Sequence, residues 1–132
     1  FMSGPWCRHG HSWVWGGVTF TLLFDRQSRS KNNRSCTVLI TNGNQTLYIS
    51  GDIEAQAEKY LLPDLPRRIS LLVSPHHGSR TSSSLRFVRH VQPRWVIHSA
   101  AKASRYGHPH PAIRQRYRQV GSCQLVSGEV VG

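Results

Sequence analysis

Apolar positions along this chain fall in short runs closed by glycine, asparagine or proline, and the period of the runs lengthens partway. Trp13-Val14-Trp15 leads through Gly16-Gly17 into a run of valine, threonine, phenylalanine and leucine over 18–24. A Gly-Gly pair between two such runs predicts a hairpin. Residues 25–34 carry Arg26, Arg29, Lys31 and Arg34 and read as a loop. A strand over 35–41, the Asn42-Gly43 hairpin signal and a returning strand over 46–50 follow. Ile53, Ala57, Tyr60 and Leu61 then fall at helical spacing over 53–62, with Asp52 as a candidate N-cap and Pro63 as the stop.

Residues 69–73 form a continuous apolar run that predicts a buried strand. Thr81-Ser82-Ser83-Ser84 supplies an N-cap for a helix over 85–91, which ends before Pro93. Trp95-Val96-Ile97-His98 reads as a strand and 100–109 as a loop. A helix is expected over 111–120, with Pro111 in its first turn and Gly121 after its end. Residues 123–126 and Val130-Val131 predict a last short hairpin around Ser127-Gly128. The order β-β-β-β-α-β-α-β-α-β implies half of a layered α/β sandwich with a mixed sheet. No internal repeat or low-complexity segment interrupts it.

The chain of 132 residues is one domain's worth and long enough to bury a core. Its 17 Lys and Arg against 6 Asp and Glu leave a net charge of +11 with His neutral. That excess makes a polyanion the natural partner, nucleic acid first and an anionic membrane second. The bland alternative is a solvated arginine-rich surface. No apolar run is long enough for a transmembrane helix. Phe1-Met2-Ser3-Gly4 lacks the pattern of a secretory signal and reads as a cut edge, with 1–12 expected as a flexible leader. Cys7, Cys36 and Cys123 leave at least one cysteine unpaired in a monomer, and no Cys-x-x-Cys suggests a zinc ribbon. Cys36, in an apolar strand, reads as a small core residue. Cys7 and Cys123 are the candidate pair if the domain lives outside the cytoplasm.

Candidate chemistry gathers at strand ends. The 69–73 run leads into Ser74-Pro75-His76-His77-Gly78-Ser79, the 46–50 strand ends on Gly51-Asp52, and the 95–98 strand is followed by Gly107-His108-Pro109-His110. Loops at strand ends are held by a rigid scaffold, and carboxylate plus neutral imidazole suits Zn- or Mn-type ions. Asp52, His76 and His77 are the candidate metal ligands. Adjacent histidines in a loop usually point apart, so at most one of His76 and His77 contacts metal directly, while the other orients a ligand or touches substrate. His108 and His110 face one side if the loop is extended, and one of them is a candidate acid or phosphate contact. Arg105 and Tyr106 could hold a phosphate beside them. Ser79, Thr81 and Ser82 could donate to phosphate, in competition with capping the next helix. His9, His11 and His90 read as surface residues, and His98 as a possible support behind the ligands.

Four motifs in order carry a resemblance: Asn32-Asn33-x-Ser35-Cys36, Ser50-Gly51-Asp52-Ile53-Glu54, Pro75-His76-His77-Gly78-Ser79 and Arg105-Tyr106-Gly107-His108-Pro109-His110-Pro111. With Trp13-x-Trp15-x-Gly17-Val18, they resemble the carboxy-terminal metallo-β-lactamase-type domain of the ComEC family of DNA-uptake proteins, from about Cys7 onward. That resemblance implies an αββα sandwich in which each half supplies part of a metal site. Asp52 matches the family's Gly-Asp ligand, which can bridge two metals, and His76 or His77 matches its final histidine. The superfamily's His-x-His-x-Asp-His motif is absent, so the chain looks like the second half of the domain only.

The resemblance further implies a parent that forms an inner-membrane channel for single-stranded DNA. The soluble domain would sit on the extracytoplasmic, periplasmic side and degrade the other strand. A two-metal site takes on the order of six protein ligands. The three or four candidates here imply weak metal binding and poor catalysis by the segment alone. A non-catalytic DNA-guiding module on the same fold is the alternative; a small-phosphodiester hydrolase fits the basic surface less well. An exposed apolar sheet face is also expected, and with it the missing half as partner or a homo-oligomer of the segment.

Overall fold

The computed structural model describes residues 7–99 and 107–127. The described strands form one mixed sheet in sequence order: β1 (Ser12–Trp15), β2 (Val18–Leu23), β3 (Thr37–Thr41), β4 (Thr46–Ile49), β5 (Leu71–Val73), β6 (Trp95–His98) and β7 (Cys123–Val126). The first four pair antiparallel, through the two hairpins expected at Gly16-Gly17 and Asn42-Gly43. From β4 to β7 every pair is parallel. Parallel neighbours need crossovers, and the helices α1 (Ala55–Leu61), α2 (Leu85–Val91) and α3 (Pro111–Gln119) lie within them.

All three helices cover the same face of the sheet. Tyr48, Leu72 and Val96 stand side by side in register, and all three are fully buried. Ala57 and Leu61 of α1, Phe87, Val88 and Val91 of α2, and Ile113 and Tyr117 of α3 close over them as one cluster. A buried carboxylate ties this layer together. Glu58 accepts from Ser83 N at 2.5 Å and Ser84 N at 2.8 Å, binding α1 to the start of α2. Burial raises its pKa above the ordinary carboxylate value.

The opposite face is apolar as well. Leu22, Val38, Ile49, Val73, Ile97 and Leu125 form one cross-strand row, and Phe20, Ile40, Leu47, Leu71 and Trp95 form the next. Cys7, Cys36 and Phe24 pack over the β2–β3 end, and no described helix contributes to that cluster. Towards the other edge, Trp95 and Leu125 are each 42% exposed.

Several expectations need correction. Helix α1 begins two residues later than Asp52 would place it: its N-cap is Glu54, and Asp52 caps nothing. The helix does not run unbroken to residue 62, because Leu62–Asp64 tightens into a 3-10 turn around Pro63. Cys7 bonds Cys36, with the Cα atoms 6.1 Å apart, and Cys123 is reduced and exposed. The pairing is set by the topology, which carries residues 7–12 back along β2: Gly10 N donates to Leu22 O and Leu22 N to His11 O. Cys123, on β7, lies at the far edge of the sheet. His9 and His90 are half-buried rather than on the surface, bonded to Asp64 and to Leu65 O respectively. β7 pairs parallel with β6, and Val130-Val131 lies outside the described residues.

Candidate functional site

Parallel pairing places the carboxyl ends of β4, β5 and β6 side by side, where open α/β sheets bind their ligands. Ser50-Gly51-Asp52 leaves β4, Ser74-Pro75-His76-His77-Gly78 leaves β5, and His98-Ser99 leaves β6. The three segments are stitched together: Ser50 Oγ donates to Val73 O at 2.6 Å, Ser74 N to Ile97 O at 3.0 Å, and His76 N to Gly51 O at 2.9 Å. A cavity of about 210 Å³ opens between them, lined by Gly51, Asp52, Ser74, His77 and Ser99 among others.

His76, His77 and Gly78 all have positive φ, at 49°, 58° and 79°. Two successive histidines in the left-handed region cost of order 1–2 kcal/mol each. Such strain persists only where surrounding contacts over-determine it, and it clusters at functional sites. Here Gly78 anchors the turn. A Cβ there would stand 2.6 Å from Pro109 Cβ, so only glycine lets the 107–110 loop close over the histidines. His110 N donates to Gly78 O at 3.0 Å.

The tautomer of His77 follows from its partners. Nδ1 lies 2.5 Å from the carbonyl oxygen of Ser99, which can only accept, so Nδ1 carries the proton. In the neutral ring Nε2 then bears the lone pair, and it stands 3.5 Å from Asp52 Oδ1. In that tautomer two acceptors face each other, an arrangement that a proton, a bridging water or a cation would reconcile. A ring whose far N–H is held by a backbone carbonyl is how metal-ligating histidines are oriented. His76 Nδ1 is buried without a hydrogen bond, 3.4 Å from Glu54 Oε2. The donor types fit a metal ion, but the number falls short of a complete site. Among the described residues no group of three His, Cys, Asp or Glu comes together as one.

Of the loop histidines, His108 faces the site, its ring centroid 6.1 Å from that of His76. Burial, then the neighbouring His76, His77 and His110, lower its pKa and favour the neutral ring. His110 is turned to structure: its Nδ1 accepts from Ala112 N at 3.1 Å as the N-cap of α3. Ser79 is buried and bonded to Thr81 Oγ1, while Ser84 caps α2. Arg105 and Tyr106 lie outside the described residues.

The structure adds residues that pattern alone did not assign. Asn33 Oδ1 accepts from Glu54 N at 2.7 Å and Ser35 Oγ from Asp52 N at 3.3 Å, so the loop before β3 fixes both acidic residues. Glu54 also takes a hydrogen bond from Thr81 Oγ1. The conjunction of Asn33, Ser35 and Glu54 with the four motifs was the available signal. Behind the histidine turn, buried His98 bonds Ser74 Oγ and Gln124 Oε1, each at 2.8 Å. Gln124 spends its amide on Arg114 O, so His98 Nε2 donates and Nδ1 accepts from Ser74.

Known proteins extend this reading. No protein-family model matches the chain. It is 34% identical over 113 residues to Competence protein ComA of Neisseria gonorrhoeae, covering 83% of this chain and 16% of that protein. It is 31% identical over 129 residues to Recombination protein 2 of Haemophilus influenzae, covering 94% of this chain and 16% of that protein. The solved metallo-β-lactamase fold protein YhfI of Bacillus subtilis aligns with 90% of this chain and 50% of its own, at 14% identity and a TM-score of 0.48. Both relatives are several times longer than this segment, which spans 16% of each. The chain belongs to the ComEC family.

Proposed function

We propose that this segment is the carboxy-terminal half of a metal-dependent, nuclease-like domain in a longer membrane DNA-uptake protein. The observation that carries the reading is the opposed pair of acceptors, His77 Nε2 and Asp52 Oδ1, held 3.5 Å apart by backbone contacts on both sides. Asp52 and His77 would hold one or two divalent ions of Zn or Mn type, with the remaining ligands supplied from outside the segment. Such ions supply an activated water and stabilise the leaving oxygen of a phosphodiester. His76, over the same turn, aligns Glu54 or touches substrate. His108, facing the site, acts as an acid or a phosphate contact. Ser79, Arg105 and Tyr106 are the substrate contacts proposed alongside it.

The net charge of +11 supports DNA as the substrate. The Cys7–Cys36 disulfide supports an extracytoplasmic, periplasmic position, since such bonds persist in oxidising compartments. The two apolar rows on the open face support an absent half packing there, and a homo-oligomer when that half is missing. The alternative, a DNA-guiding module without catalysis, is favoured by one observation: no complete ligand set assembles among the described residues.

The test is DNA cleavage by the longer protein beside its Asp52→Asn and His77→Ala variants. A loss of about 100-fold or more in both, with DNA binding retained, is expected. Undiminished cleavage in both variants would overturn the assignment. DNA binding with no cleavage by any form would establish the guiding module.

A further inference from the structure

The outer side of the helix layer carries a second feature that the strand-edge site does not use. Leu62, Arg67, Leu85, Arg86, Arg89 and His90 line an open groove of about 530 Å³ between the end of α1 and the length of α2. It continues past Arg86 and His90 towards Lys59 and Pro63. Arg86 and Arg89 lie one turn apart on the same helix face. Arg67, Arg86, Arg89 and Lys59 are exposed, and none has a hydrogen-bond or ion-pair partner among the described residues. The ion pairs described there all use histidine, and Asp64, the nearby acid, is taken by His9. No acidic residue lines the groove.

Each unpaired guanidinium presents a planar fork of N–H donors suited to phosphate oxygens, and Arg86 and Arg89 set two of them one turn apart. No Trp, Tyr or Phe lines the groove, so it fits a backbone better than a base sequence. It begins at α2's first turn, near the strand-edge loops, and runs towards Arg67, which precedes the amino end of β5.

We propose that this groove is a second, sequence-blind binding site for the phosphate backbone of a DNA strand, continuing its path beyond the strand-edge site. The proposal rests on DNA being the partner, but not on metal or cleavage. Arg67, Arg86 and Arg89 hold successive phosphates, and His90 and Leu62 shape the floor.

The test is binding of a labelled oligodeoxythymidylate to the longer protein in phosphatidylcholine nanodiscs, followed by fluorescence anisotropy across a salt series. In the triple variant Arg67→Ala, Arg86→Ala, Arg89→Ala, affinity falls about tenfold and the log–log salt slope shrinks by about 2, because each single-strand phosphate contact contributes ~0.7. Replacement of all three by lysine restores most of the slope. Asp52→Asn leaves the groove's contribution intact, so a failure of the metal reading would not touch this result. An unchanged slope in the alanine variant would overturn the proposal. So would unchanged DNA binding with lost association to phosphatidylserine vesicles, which would assign the groove to lipid headgroups.

Discussion

Both faces of the sheet carry rows of apolar side chains and differ in what covers them. On one, Tyr48, Leu72 and Val96 are fully buried beneath three helices. On the other, their neighbours Leu71, Trp95 and Leu125 meet no described helix, and Trp95 and Leu125 stay 42% exposed. A sheet meant to face water on one side alternates apolar and polar positions. β4, β5 and β6 do not: Leu47-Tyr48-Ile49, Leu71-Leu72-Val73 and Trp95-Val96-Ile97 are apolar throughout. The pattern therefore fits a sheet covered on both faces, and the described helices supply one of the covers. The proposed site matches this: Asp52 and His77 face each other, and no group of three metal-ligating residues assembles among the described residues.

Truncation of the two faces breaks or sharpens this difference most directly. Leu72→Ala should cost ~2–5 kcal/mol of stability by urea unfolding, the range for a buried leucine. Leu71→Ala, one position along, should stay within ~1 kcal/mol in the segment and cost more in the longer protein. Equal losses in the segment would mean the open face is already covered there. Reduction of Cys7–Cys36, which links positions 29 residues apart and packs on the β2–β3 end of the open face, should cost ~2–4 kcal/mol. A reductant-insensitive unfolding midpoint would show that packing alone holds that end. Asn33→Ala leaves the amides of Glu54 and Ala57 without their acceptor and should cost ~1–2 kcal/mol.

The smallest effect is pH dependence from the covered face. Burial lowers the pKa of His98 below the ordinary 6.5, and the nearby charge of Arg114 lowers it further against the opposing bond to Gln124. Between the lowered folded value and 6.5 the unfolded chain holds more protons at this residue. Its stability contribution is complete above that ordinary value and declines as pH falls below it. Urea midpoints compared at neutral and mildly acidic pH should show this decline in the parent and a flatter response in His98→Gln. An unchanged slope in that variant would place the titration elsewhere.

Local chemistry made the elements legible. Gly16-Gly17 and Asn42-Gly43 marked the hairpins, Pro111 and Gly121 bracketed α3, and Ser84 lay inside the stretch expected to cap α2. What failed was long-range. Cysteine pairing depends on which strands become neighbours, and nothing local says that residue 7 returns to β3. Asp52 looks like a cap because of its type and place; the Gly51 turn and the bond to Ser35 put it at the cavity instead. The left-handed backbone at His76 and His77 has no local signal; it adjoins Gly78, itself at positive φ and packed closely against Pro109. His110 could not be told from His108 until the cap of α3 was placed.

Metal content of the longer protein, measured by mass spectrometry after desalting, tests the opposed-acceptor pair most directly. A divalent metal should be retained by the parent and largely lost from Asp52→Asn and His77→Ala. Equal metal in all three, or none in the parent, would contradict the assignment of that gap to a cation.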